Sequence, residues 1–178
     1  MNLFAEIVHF GRVVAKIAMC CPEGSHMSCD TYDRIPEPLM VEYKTGITSS
    51  SITHYHNVHE LVLFEHCNAR LFSQNVWYDM HDGDIALIPQ YTLHHYDYLD
   101  KHRYTRLLIN FDAAFASSAG DALGFPDVLP EPGLKQHFKM SPAPAKFRQI
   151  MRVGQDLLAA HVERDALPAN QHMATQRA

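Results

Sequence analysis

The sequence predicts a mainly β fold, an antiparallel jelly roll or barrel with a helical segment at each end. Short apolar runs separated by turn residues fill residues 39–111, and no helical pattern lies between them. Apolar residues recur at helical spacing near the N-terminus and again over residues 145–164. With 178 residues, of which 47% are apolar, the chain is long enough for one domain with a core.

The first element is an N-terminal arm, residues 1–38, that is predicted to contain an amphipathic helix. Glu6, Arg12 and Lys16 interrupt the apolar stretch at the start of the chain, which is not typical of a secretory signal. The apolar residues between them follow helical spacing instead.

Residues 39–116 are predicted to form the barrel. A strand over 39–43 ends at Gly46, and residues 60–64 are apolar on both faces, which is typical of a central strand. Turn residues 73–75 between two β-like runs predict a hairpin. The remaining strands are predicted after the turn at residues 82–84 and at 94–98 and 104–111, with Pro89 ending the first of them.

The amino-acid pattern changes after the predicted barrel. Five prolines between Pro126 and Pro144 predict a linker over residues 117–144. Residues 145–178 then combine an amphipathic helix, to about residue 164, with a polar tail. The apolar stripe of this helix requires a partner, either the barrel wall or a second subunit.

Composition excludes several classes of function. The net charge is −5 and no Lys/Arg-rich run is present, so this chain alone should bind DNA poorly. No apolar run reaches the roughly 20 residues of a membrane helix. The four cysteines form no C-x-x-C pair, which favours free thiols in a reducing cytoplasm, with Cys67 as a small buried hydrophobe.

The segment from His54 to Glu60 carries the most chemical information. Imidazoles at positions i and i+2 face the same side of a strand, and Glu60 shares that side if the strand continues without a bulge. His94, on a later strand, can join them. Such a group could bind a divalent metal, line the site of an organic effector, or lie solvated at the barrel mouth.

These motifs resemble a known family. The pattern H-x-H-x-x-x-E over residues 54–60, then G-D-x-x-x-I-P over residues 83–89 and His94, resembles the paired cupin motifs. Residues 60–64, 82–89 and 104–111 more closely resemble the N-terminal sensory domain of the AraC/XylS family of bacterial transcription factors. Two positions depart from the cupin pattern, because Tyr91 replaces a glycine and Tyr98 an asparagine.

The resemblance implies a cupin barrel that binds a small effector, such as a sugar or an aromatic acid, and a helix that forms a homodimer. DNA binding would belong to a C-terminal domain that is expected beyond Ala178. A small metal-dependent cupin enzyme, a dioxygenase or an isomerase, is the alternative function. The expected ligand-binding residues of the effector site are His54, His56, Glu60, Phe64, Trp77, His94 and Tyr96.

The metal alternative uses His54, His56, Glu60 and His94 as ligands for Zn, Fe, Mn, Ni or Cu. Strand alternation places His59 and His95 on the opposite side, and both are therefore expected at the surface. Arg106 alternates with Leu107 on a strand. An exposed salt bridge is the ordinary expectation for it, and pairing with an acidic effector is the alternative.

Overall fold

A computed structural model describes residues 31–46, 52–99, 104–122 and 139–166. In these ranges the chain forms ten strands and two helices. The strands are β1 (Thr31–Asp33), β2 (Leu39–Gly46), β3 (His54–His56), β4 (His59–His66), β5 (Asn68–Ser73), β6 (Val76–His81), β7 (Ile85–Ile88), β8 (His94–Tyr98), β9 (Tyr104–Phe111) and β10 (Lys139–Met140). The helices are α1 (Ala113–Ala122) and α2 (Pro144–Ala166).

The strands form two five-stranded sheets. Sheet I has the order β1-β3-β8-β5-β6 and sheet II the order β10-β7-β4-β9-β2. All pairs are antiparallel except β1 with β3. No strand belongs to both sheets, so the predicted jelly roll is confirmed as two facing sheets that do not close into a barrel.

The core lies in two layers on either side of sheet II. The inner layer fills the space between the sheets, here called the interior, and includes Val62 and Phe64 of β4 with Leu71 and Tyr96 of sheet I. The outer layer packs Leu63 and neighbouring sheet II residues against α2. Strand β4 contributes to both layers because alternate side chains point to opposite faces.

Helix α2 lies close against strand β9. A Cβ added to Gly154 would approach Leu107 Cδ2 to 2.2 Å, so a larger residue here would force the Leu107 side chain or the helix to shift. Phe147, Ile150 and Met151 are buried in the outer layer of the core. Sheet II, rather than a second subunit, is therefore the partner of the apolar stripe over the first half of this helix.

Tight turns fix the order of the strands. The hairpin between β5 and β6 turns at Gln74 and Asn75, with φ of 49° and 62°. Two consecutive residues in this left-handed region are typical of a two-residue hairpin turn that suits the twist of the flanking strands. Gly83, with φ of 81°, occupies the turn that leads into β7.

Most of the predicted elements are confirmed. The strands expected over residues 39–111 are present, and the helix expected over 145–164 spans Pro144–Ala166. Three elements were not expected: β1 lies in the predicted N-terminal arm and pairs with β3, α1 crosses the predicted boundary between barrel and linker, and β10 pairs with β7 near the end of the predicted linker. The helix predicted within residues 1–38 falls in a part of the chain outside the described residues.

Candidate functional site

Four side chains from three strands converge in the interior at one end of the sheets. They are His54 and His56 on β3, Glu60 on β4 and His94 on β8. One potential ligand atom from each lies within 4.8 Å of every other. His56, Glu60 and His94 are buried, and His54 is half-buried, so the group opens towards solvent on the His54 side.

The chain reaches this arrangement by crossing between the sheets. His56 ends β3 in sheet I, and after two residues His59 begins β4 in sheet II. Asn57 holds the crossing, because its side chain accepts a hydrogen bond from Ile35 N and donates one to Ile35 O. The single continuous strand assumed for His54, His56 and Glu60 is therefore wrong, although their convergence is retained.

The other wall of the site is the loop between β7 and β8. Tyr91 N donates a 2.7 Å hydrogen bond to His56 O, which ties the loop to β3. Tyr91 has φ of 60°, a left-handed conformation that costs free energy for a residue with a Cβ. The cupin pattern has its glycine at this position, so the local conformation matches the pattern although the residue does not.

The three imidazoles share one hydrogen-bonding arrangement. Nδ1 of His54 lies 2.8 Å from Ile52 O, Nδ1 of His56 lies 2.8 Å from Val58 O, and Nδ1 of His94 lies 2.8 Å from Thr92 O. Each carbonyl oxygen can only accept, so each Nδ1 carries the proton. In the neutral ring this leaves Nε2 with its lone pair available to the site.

Glu60 lies at the centre of the electrostatics of this group. Its carboxylate accepts a hydrogen bond from Tyr96 Oη at 3.1 Å, and His56 Nε2 lies 3.2 Å from it, where it donates a hydrogen bond when the His56 ring is protonated on both nitrogens. Burial by itself would raise the pKa of Glu60. The His56 hydrogen bond, the positive charge of Arg106 and the charge that His94 carries at the acid pH where Glu60 titrates outweigh burial, and they hold this pKa well below its usual range. The carboxylate is therefore ionised and gives the interior a fixed negative charge.

The buried histidines respond to Glu60 differently. Burial lowers the pKa of His94 to about 4, and the Glu60 charge offsets only part of that effect. Burial also lowers the pKa of His56, but its hydrogen bond to Glu60 and the Glu60 charge outweigh it, so the net shift is upward. His94 is consequently neutral near pH 7, the form in which an imidazole can ligate a metal.

The donor set fits a divalent metal. Ligand atoms bound at about 2.1 Å to a tetrahedral zinc ion lie about 3.4 Å apart. The ligand atoms here lie within 4.8 Å of one another, so some of these side chains would have to move closer together to bind the ion. Bonds from Nδ1–H to backbone oxygens are the outer interactions that orient histidine ligands. Three imidazoles and a carboxylate suit Zn, Fe, Mn, Ni or Cu alike.

A second polar group lies farther along the interior. Arg106 on β9 pairs in register with Phe64 on β4. Its guanidinium carbon lies 5.1 Å from the ring centroid of Tyr96 and 5.4 Å from that of Tyr104. The exposed salt bridge expected for Arg106 is wrong, because the register of β9 turns this side chain into the interior.

The sequence as a whole matches one family model. The model described as "AraC-like ligand binding domain" matches residues 40–171, which include β2 from its second residue, β3 to β10 and both helices. This chain belongs to that family. The residues that are brought together in the interior thus lie inside the AraC-like ligand-binding domain itself.

Several solved structures are similar to this AraC-like domain. A cupin 2 conserved barrel domain protein from Salinispora arenicola is 19% identical, with a TM-score of 0.40 over 49% of this chain and 75% of that chain. ToxT from Vibrio cholerae is 14% identical, with a TM-score of 0.49 over 66% of this chain and 48% of that chain. No curated protein matches the chain.

The AraC-like domain does not bring every predicted ligand-binding residue to the cluster. Tyr96 contacts Glu60, and Phe64 lies behind it, with ring centroids 5.7 Å apart. Trp77 lies on the outer face of sheet I and is 45% exposed. It packs against Phe72 and His95 there, because its position on β6 alternates with the inward-facing Tyr78 and Met80.

The surface position expected for His59 is wrong, and the position expected for His95 is only partly realised. His59 does point away from the interior, but its ring is buried and stacks on Phe111 at 5.3 Å, beside the outer layer of the core. Alternation predicted the face correctly; the helices that cover that face were not taken into account. His95, on the uncovered outer face of sheet I, is half-buried between Phe72 and Trp77.

In the parts of the chain that the structure describes, no helix is both long and apolar enough to cross a bilayer. Cys67 is buried, as predicted.

Proposed function

We propose that this chain is the effector-sensing and dimerisation domain of an AraC-type bacterial transcription regulator in the cytoplasm. A small molecule binds between the sheets against His54, His56, Glu60 and His94, with Phe64 and Tyr96 behind them. The observation that carries this proposal is the convergence of four polar side chains in the interior of a domain whose family is defined by ligand binding. DNA would be contacted through a separate C-terminal domain.

The proposed site includes a divalent metal. The support is the common arrangement of His54, His56 and His94, in which a backbone oxygen holds Nδ1–H and leaves Nε2 for the ion. When bound, the metal would act as a Lewis acid that holds an oxygen atom of the effector. Glu60 would supply the negative charge and Tyr96 would orient its carboxylate.

Strand β4 offers a physical route from the site to helix α2. Glu60 faces the interior, whereas Leu61 and Leu63, on the same strand, pack in the outer layer of the core with Ile150. A small shift of β4 on effector binding would therefore alter the surface on which α2 rests. The effector can shift this equilibrium only through its different affinities for the two packings.

Dimerisation is proposed for the C-terminal half of α2. Sheet II covers Phe147, Ile150 and Met151, but Val162 is 59% exposed. A charged substitution, Val162→Asp, should shift the molecule towards monomer in sedimentation velocity experiments, while leaving the melting temperature of the monomer unchanged. A dimer that persists in this variant would place the interface elsewhere.

The sensing proposal is tested by thermal shift against a panel of sugars and aromatic acids. We expect at least one compound to raise the melting temperature of the metal-loaded protein, and Glu60→Gln and His94→Ala to abolish that response while remaining folded. Tyr91→Phe, which changes an exposed ring beside the site, is the matched control and should respond like the wild type. A response that survives loss of both Glu60 and His94 would contradict the proposed site.

A metal-dependent cupin enzyme is the second candidate, favoured by the same three imidazoles and carboxylate. It requires turnover as well as a bound ion. Dioxygen consumption or isomerisation by the metal-loaded protein, lost on chelation and in His94→Ala, would favour the enzyme. Tight effector binding without turnover would favour the sensor.

A further inference from the structure

The inward face of β9 carries a charged residue that the metal cluster does not use. Arg106 and Leu108 lie on the same face of this strand, and Leu108 belongs to the inner layer of the core. The Arg106 guanidinium is held over the rings of Tyr96 and Tyr104. These contacts hold the guanidinium in place between the two rings, since a cation is attracted to the face of an aromatic ring.

The hydrogen-bonding groups of this region are incompletely used. Among the described residues, Arg106 Nε and Nη1 have almost no exposed surface and no hydrogen-bond acceptor. The Tyr98 hydroxyl, whose ring lies 4.9 Å from that of Tyr104, is buried and without a partner in the same part of the chain. An arginine is always charged, and burying its donors without acceptors costs several kcal/mol, on the order of 1–3 for each group.

Glu60 does not compensate Arg106 through a direct contact. Its two oxygen atoms are engaged by His56 and Tyr96, and the Arg106 charge reaches it only through space. A divalent metal would add two positive charges to a cluster in which Glu60 is the one carboxylate. The ion, Arg106 and Glu60 together would then carry an excess of positive charge.

We propose that Arg106, Tyr98 and Tyr104 form an anion subsite that binds the carboxylate of the effector, and that the effector is a small aromatic acid. The subsite rests on the proposed effector site and narrows its ligand class. The planar fork of arginine matches a carboxylate with two parallel hydrogen bonds, and the Tyr98 hydroxyl can donate a third. The rings of Phe64, Tyr96 and Tyr104 favour a flat apolar body over a sugar.

The test compares acids with their neutral amides. Benzoate, phenylacetate and cinnamate, each paired with its primary amide, are titrated calorimetrically into the zinc-loaded protein. We expect at least one acid to bind, and its amide to bind at least tenfold more weakly. In Arg106→Met the acid should lose between about 10-fold and 100-fold in affinity, the range for hydrogen bonds to a charged group.

Two further variants sharpen the test. Arg70→Met is the matched control, because Arg70 lies on the outer face of sheet I in a 2.7 Å ion pair with Asp97 and should leave acid binding unchanged. Arg106→Lys keeps the charge but loses the fork, and should show an intermediate loss. If circular dichroism shows that Arg106→Met does not fold, the affinity of Arg106→Lys for the acid decides whether Arg106 binds the carboxylate.

Three outcomes would overturn the subsite: no acid binds the wild-type protein, acid and amide bind equally, or the folded Arg106 variant binds acids like the wild type. Zinc titration separates this failure from failure of the effector site. Zinc affinity that is normal in Arg106→Met, together with binding of a neutral compound from the sugar panel, would leave the sensing proposal intact. If the wild-type protein binds neither zinc nor any of the compounds, both the anion subsite and the effector site are contradicted.

Discussion

Two groups of histidine and aromatic side chains lie back to back on sheet I, and they have opposite characters. The inner group consists of His54, His56 and His94 with Glu60. The histidine Nδ1 atoms are bound to backbone oxygens, and the potential metal-ligand atoms of the four residues lie close together around one centre. The outer group comprises Arg70, Phe72, Trp77 and His95. In it His95 Nδ1 contacts Thr53 Oγ1 at 3.2 Å, and its ring packs between Phe72 and Trp77 at 5.1 and 5.2 Å.

The difference between the two groups arises from one residue of register. His94 and His95 are adjacent on β8, so one faces the interior and the other the outer surface. His94 is fully buried, whereas His95 is only half-buried. The same side chain is therefore a ligand candidate on one face and a flat packing surface on the other, and composition alone cannot distinguish these roles.

Removing one histidine from each group should give the largest contrast. His94→Ala is expected to weaken zinc binding by at least about 100-fold, because even outer interactions of a ligand are worth about 10–100-fold. His95→Ala should leave zinc affinity unchanged. Competition against a chromophoric chelator measures both. Equal losses in the two variants would mean that the ion, if bound, is not held by the inner group.

A pH titration sharpens the comparison with a third histidine. Burial lowers the pKa of His59 to about 4, and its neutral ring stacks on Phe111. Because the folded pKa lies below the unfolded value of about 6.5, the unfolded chain binds the proton more readily. Above pH 6.5 the burial of His59 therefore does not lower the free energy of unfolding. As the pH falls from there towards 4, proton binding to the unfolded chain lowers the free energy of unfolding by roughly 2–4 kcal/mol in total.

Urea denaturation of metal-free protein between pH 7.5 and pH 4 measures the loss. His59→Phe, which keeps a flat ring against Phe111, should lose less stability than the wild type over that interval. His95→Phe serves as the control, since burial lowers the pKa of His95 less severely and its ring is partly open to solvent. Identical pH profiles for wild type and His59→Phe would show that His59 is not buried in solution.

Alternation along strands was enough to predict the fold and the inner group. The turn residues and period-two runs predict β4, β7, β8 and β9, and the positions of His54, His56, Glu60 and His94 within them. Their convergence survives even though the chain crosses between sheets after His56, because the crossing restores the inward direction at Glu60. The inner group can therefore be predicted from the local sequence pattern.

Long-range contacts account for what the sequence did not reveal. Whether an outward face is covered depends on α2, which reaches sheet II through Gly154 from a distant part of the chain. His59 is buried and His95 half-exposed for that reason. Strand alternation places Arg106 on the inward face, whereas its charge favours the surface. The pairing of β9 with β4 shows that the side chain faces the interior. Trp77 was assigned to the site by residue type, without its strand register.

The smallest effect is expected in the outer group itself. Trp77 is 45% exposed, and its ring contacts Phe72 at a tilt, His95 edge-on and the Arg70 guanidinium over its face, on a surface that no helix covers among the described residues. Trp77→Ala should therefore cost about 1 kcal/mol in unfolding free energy, from lost aromatic and cation–π contacts, and should change zinc and effector affinity less than twofold. Leu71→Ala, on the adjacent strand but fully buried in the interior, should cost about 2–5 kcal/mol as the matched comparison. A Trp77→Ala variant that loses effector binding while keeping its stability would transfer ligand recognition to the outer face and reverse the distinction between the two groups.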